Sequence, residues 1–77
     1  MNKATCIRSI EGSKFKPGQS YGFDWDALGS IARLHDLPEY WRQVRGRGED
    51  YFTARERAFI ATLPQLAFTT HFEVTHD

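Results

Sequence analysis

The chain carries ten basic and ten acidic residues among 77, with a single cysteine and 14% aromatic residues. A length of this order makes one small domain with modest buried area, and one cysteine excludes an internal disulfide framework. Balanced charge excludes a generic polyanion binder and a charge mimic of DNA. No stretch reaches the roughly 18 apolar residues that mark a membrane span. There is no signal-like apolar run after Met1, and with the lone Cys6 this points to a reduced, cytoplasmic setting. Aromatic rings, each burying roughly 150–250 Å², are then the expected source of stability, with self-association into a homodimer as the other route to buried area.

In chain order, Ala4 to Ile10 alternates and holds two isoleucines and a threonine, which predicts a first strand. Glu11-Gly12-Ser13-Lys14 reads as a loop. Lys16-Pro17-Gly18-Gln19 has Pro and Gly at the central positions of a type II turn. That turn is expected to join Phe15 to a strand with Tyr21, Phe23 and Trp25 on one face, Asp24 opposing them. Asp26-Ala27-Leu28-Gly29 has the residues of a type I turn, and Ser30 to His35 alternates again. Pro38 interrupts that strand, and Glu39 to Arg45 reads as a fourth. Gly46-Arg47-Gly48-Glu49 reads as a flexible loop.

Thr53 and Glu56 have the spacing of a capping box, which predicts a helix from about Ala54 to Leu63, stopping before Pro64. A strand with Phe59, Ala61 and Leu63 on one face is the alternative for this segment. The clearest alternation is the last, with Leu66, Phe68, Thr70, Phe72 and Val74 at every second position. It predicts a terminal strand with Phe72 and Val74 buried against the opening one.

Two fragments carry a family resemblance. Cys6-Ile7 followed by Phe15-Lys16-Pro17-Gly18 and Tyr21 resembles the opening of small SH3-like β-barrel proteins encoded by bacteriophages. Phe68-Thr69-Thr70-His71-Phe72-Glu73-Val74 is similar to their closing Phe-x-x-x-Phe-Glu-Val. Between Pro38 and Leu63 the chain departs from that pattern, being longer and richer in arginine. The resemblance implies an accessory phage or prophage protein and transfers no catalytic residues. The fold expected from residues and resemblance together is mainly β (α+β). It is either a small SH3-like barrel or an antiparallel sheet of four to five strands, with one helix inserted before the last strand.

Enzymatic chemistry would need Cys6 to meet His35 or His71, with Asp24 or Asp36 orienting the base. A cysteine in an apolar alternation is more simply a small buried hydrophobe, so no catalytic residue is assigned. Cys6, His35, His71 and His76 lack the spacing of a zinc site, and Asp24 and Asp26 lack the further ligands of a calcium loop. Gly46-Arg47-Gly48 lacks the Lys-Ser/Thr pair of a phosphate loop. No metal and no cofactor is expected.

Between Arg42 and Arg57 there are five arginines against three acids, and Trp41, Tyr51 and Phe52 lie among or beside them. Tryptophan, tyrosine and arginine dominate protein-interface hot spots. The expected function is therefore non-enzymatic: binding of a host protein, for inhibition or redirection of a defence or regulatory complex, through Trp41, Arg42, Arg45, Arg47, Tyr51 and Arg55. The alternative is a small nucleic-acid-binding module using segment 41–57, where arginines neutralise phosphates and rings stack on bases. No membrane partner is expected.

Overall fold

The computed structural model describes residues 2–75. Its frame is one five-stranded, fully antiparallel sheet in the order β4-β3-β2-β1-β5. The strands are β1 (Asn2–Cys6), β2 (Ser20–Trp25), β3 (Ile31–His35), β4 (Phe59–Pro64) and β5 (Phe72–Thr75). The sheet stays open, with β4 and β5 as its edges. It thus takes the sheet form of the expected α+β fold, not the closed barrel. Three helices accompany it, α1 (Leu37–Trp41), α2 (Tyr51–Arg57) and α3 (Gln65–His71), with a π-helical turn over Arg42–Gly46. The sequence had led us to expect only one helix.

The opening of the chain follows its turn chemistry. Gly18 has φ +87°, and Gln19 N–H donates to the Lys16 carbonyl at 3.1 Å, closing the Lys-Pro-Gly-Gln turn. The turn does not join two strands directly. It folds the Ile7–Gln19 loop back onto the end of β1, where Gly18 N–H reaches the Cys6 carbonyl at 2.7 Å. The first strand therefore stops at Cys6 instead of running to Ile10. Asp26 closes the next turn as expected, its carbonyl accepting from Gly29 N–H and its carboxylate from Ser30 N–H at 2.8 Å.

Residues 39–45 are helical, not a fourth strand. Asp36 caps α1 by accepting from Glu39 N–H at 3.0 Å, and Pro38 sits in the first turn where its missing donor costs nothing. Asp-x-Pro-Glu is a helix start, and it outweighs the alternation after it. The second helix is capped by Asp50, which accepts from Thr53 N–H at 2.8 Å. It begins before Thr53 and ends at Arg57, so Thr53 is not the cap and Phe59 onward is strand. Alternation wins there because Leu63, Thr62 and Ala61 pair with Ala32, Arg33 and Leu34 of β3.

The terminal run is the largest correction. Residues 65–71 are helix, and only 72–75 form the last strand. The chain must travel from the β4 edge to the β5 edge, across three intervening strands. A helix laid over the sheet makes that crossing while satisfying its own backbone. In it Thr69 and Thr70 donate back to the Gln65 and Leu66 carbonyls. Phe72 is buried opposite Cys6 as expected, but Val74 is 37% exposed.

Alternation along the strands gives the sheet two unlike faces. One carries Ala4, Cys6, Tyr21, Phe23, Ala32 and Leu34, covered by Phe15 from the β1–β2 loop, Phe68 of α3 and Phe72. Among its rings Phe23 and Phe68 are tilted at 45° with centroids 4.9 Å apart, and Phe68 and Phe72 are stacked at 5.4 Å. The other face carries Asp24, Arg33 and His35, and the α1–α2 layer covers it with a smaller cluster of Tyr40, Ala54 and Ala58.

Candidate functional site

One acid is the central tie between the polar face and the helical layer. Asp24 Oδ1 accepts from the Tyr51 hydroxyl at 2.8 Å, and its Oδ2 lies 3.5 Å from Arg55 Nη1. Two residues four apart on α2 thus share one face and converge on a single carboxylate. The Arg55 guanidinium also lies over the rings of Tyr51 and Phe52, 5.2 and 5.3 Å from their centroids. Burial, then the bond to Asp24, raises the Tyr51 pKa above its ordinary value. The phenol accordingly remains a donor at neutral pH.

His35 sits beneath this contact, fully buried. Its Nδ1 lies 3.0 Å from the Arg55 carbonyl, which has no proton to give, so the neutral ring donates from Nδ1. Nε2 then presents a lone pair toward Asp24 Oδ2, 3.4 Å away. Burial lowers the His35 pKa, and the cations Arg55 and Arg33 add to that effect. The Asp24 charge and the hydrogen bond to the Arg55 carbonyl oppose it without reversing it. The Asp24–His35 contact is therefore between a carboxylate and a neutral imidazole, not an ion pair. Arg33 extends the cluster outward, pairing with Glu56 at 3.3 Å and covering the Phe59 ring.

The six residues singled out for binding divide between two roles. Tyr51 and Arg55 are committed to Asp24, inside the molecule's own packing. Trp41 ends α1, Arg42 and Arg45 lie on the π-helical turn that follows, and Arg47 caps that turn. Trp41 is 41% exposed, and the Arg45 guanidinium lies 4.7 Å from its ring centroid. Arg42 pairs with Glu39 one turn earlier. The stretch after them is less free than its glycines suggest. Arg47 and Glu49 both donate backbone N–H groups to the carbonyl of Gln43, and Gly48 supplies φ +68°. Phe52, 66% exposed, is a further ring on this layer that the sequence reading left outside the site.

The sequence alone offers Asp24 and His35 as partners for Cys6 or as incomplete metal ligands, not as partners of Tyr51 and Arg55. The structure brings those two together but on the opposite face from Cys6, which is buried among the apolar core. The Cys6 thiol and His71 Nδ1 both donate to the Arg8 carbonyl, at 3.2 and 3.3 Å. The signal for the polar cluster was present in the alternation itself. Asp24, Arg33 and His35 all project from the face opposite the aromatic row, which demands a polar cover.

Among the described residues no three histidine, cysteine or carboxylate side chains form a metal-ligand set, and His76 lies outside the described residues. Nor is any described helix long and apolar enough to cross a membrane. No family model matches the chain, and comparison with curated proteins and with solved structures gives no significant match.

Proposed function

We propose that the chain is a non-enzymatic protein-docking module whose contact surface is the helical layer around Trp41. The supporting observation is the Trp41–Arg45 pair: a half-exposed indole with a guanidinium held over its ring. That arrangement is an anchor with little side-chain freedom left to lose on binding. Its complement is an apolar pocket flanked by carboxylates, since Arg45 and Arg47 have no acidic partner among the described residues. The resemblance to phage accessory proteins supplies the setting: a host protein of a defence or regulatory complex, met in the host cytoplasm. No cofactor is invoked.

Nucleic-acid binding through the same segment is the competing reading. It loses ground because Arg42, Arg55 and Arg57 already face Glu39, Asp24 and Glu49. Phosphate binding needs uncompensated positive charge. Affinity capture from host lysate with and without nuclease identifies the partner. Trp41→Ala should then weaken the purified complex by about 2 kcal/mol or more, and Arg47→Glu should mainly slow association. Micromolar binding of short oligonucleotides that persists near physiological salt would transfer the assignment to nucleic acid.

A further inference from the structure

The two edges of the sheet are guarded differently. β5 is four residues long and carries Glu73. β4 is six residues long, Phe59-Ile60-Ala61-Thr62-Leu63-Pro64, without one charge. Exposed edges normally carry charge, because unpaired backbone groups recruit other strands.

Two hydrogen bonds show which of those groups are free. Asp26 N–H donates to the Ile31 carbonyl and Gln65 N–H to the Ser30 carbonyl, each at 2.9 Å. Odd residues of β3 therefore bond to β2, and even ones to β4. Leu63 and Ala61, opposite Ala32 and Leu34, point their backbone inward. Thr62 points its N–H and C=O outward, and no loop or side-chain group of the described residues hydrogen-bonds to them. Pro64 is the N-cap of α3, where its carbonyl turns to the helix instead.

At the Phe59 end of this edge lies a cleft of about 440 Å³, within the range of ligand sites. Lys14 and Lys16 from the β1–β2 loop line it, with Arg57, Asp36 and Glu39. The two carboxylates are occupied: Asp36 accepts from Glu39 N–H, and Glu39 from Arg42 and Gln43. Lys14 and Lys16 have no ion pair among the described residues.

We propose that the β4 edge and this cleft together take the carboxyl-terminal strand of a partner protein. A strand added antiparallel to β4 ends at Phe59, so its terminal carboxylate enters the cleft beside Lys14 and Lys16. Backbone pairing supplies affinity and the carboxylate sets direction and register. A second copy of this chain fits less well. In a symmetric β4 pair each cleft would meet the other copy's Pro64–Leu66 end, which has no carboxylate. The site is separate from the Trp41 surface and does not rest on it.

The probe is a fluorescein-labelled eight-residue peptide of alternating valine and threonine with a free terminal carboxylate, compared with its C-terminal amide. Anisotropy measures affinity, and amide NMR shifts locate the contact. The free acid should bind and move the Thr62 amide, while amidation should weaken binding by about tenfold or more. Lys16→Gln should act like amidation. Thr62→Pro should abolish binding, since the fold does not use that N–H and edge strands tolerate proline. N-methylation of alternate peptide residues should do the same with the protein untouched. Equal binding of acid and amide, no binding at millimolar peptide, or a Thr62 shift that follows protein concentration alone would overturn the proposal, the last by assigning the edge to a second copy.

Discussion

The two faces of the sheet are covered by different means. On one, nine buried residues form a cluster that is apolar apart from the Cys6 thiol and the Tyr21 hydroxyl, closed by Phe15, Phe68 and Phe72. On the other, a small cluster of Tyr40, Ala54 and Ala58 is helped by the bonds around Asp24 and His35. Burial is non-directional and scales with area, so the first face supplies most of the stability. The second depends on a few directional contacts, and its cover carries the exposed Trp41 and Phe52. The layer proposed to meet a partner is thus the one held by geometry more than by area.

The largest effect should come from the apolar face. Phe72→Ala removes a ring that packs on Phe15, Tyr21 and Phe68. It should cost about 3–5 kcal/mol, enough to unfold most of the population of a small domain. A cooperative melt at nearly the parental temperature would remove the face from its leading role.

On the polar face the effects should be smaller and coupled. Asp24→Asn and Tyr51→Phe should each cost about 1–3 kcal/mol. The double variant should fall short of their sum by about 0.5 kcal/mol or more, the mark of a direct contact. Hydrogen exchange should show α1 and α2 losing protection while β1 and β2 keep theirs. Additive costs, or loss of protection throughout, would mean that the layer is not a separable cover.

The smallest effect concerns pH. Folding holds the His35 pKa below its ordinary 6.5, so the unfolded chain binds the extra proton first as pH falls. Stability from this group is complete above about pH 6.5 and declines below it, by at most about 1.4 kcal/mol per pH unit. Denaturant midpoints between pH 7 and 5 should show the decline, and His35→Gln should flatten it. A midpoint that rises toward pH 5 would mean that imidazolium, donating to both Asp24 and the Arg55 carbonyl, is the favoured form.

Several features were legible in the sequence because they depend on neighbouring residues alone. Lys-Pro-Gly-Gln and Asp-Ala-Leu-Gly closed the turns they encode. Strand periodicity put Tyr21 and Phe23 on one face of β2 and Ala32 and Leu34 on one face of β3, and pairing then joined the two as one buried side. Composition pointed to aromatic rings as the source of stability, and Tyr21, Phe23, Phe68 and Phe72 are the rings that supply it. Tertiary structure decided where an alternating run becomes a helix. Leu66 to Phe72 has strand spacing, yet only a helix carries the chain over the sheet from one edge to the other. Phe68 and Phe72, four residues apart, then stack on the same side. Packing of α2 on the sheet likewise decided the roles of Tyr51 and Arg55, which read as surface anchors until Asp24, 27 and 31 residues away, claimed both. Local chemistry is written in adjacent residues, whereas a contact between distant ones exists only after the chain has closed on itself.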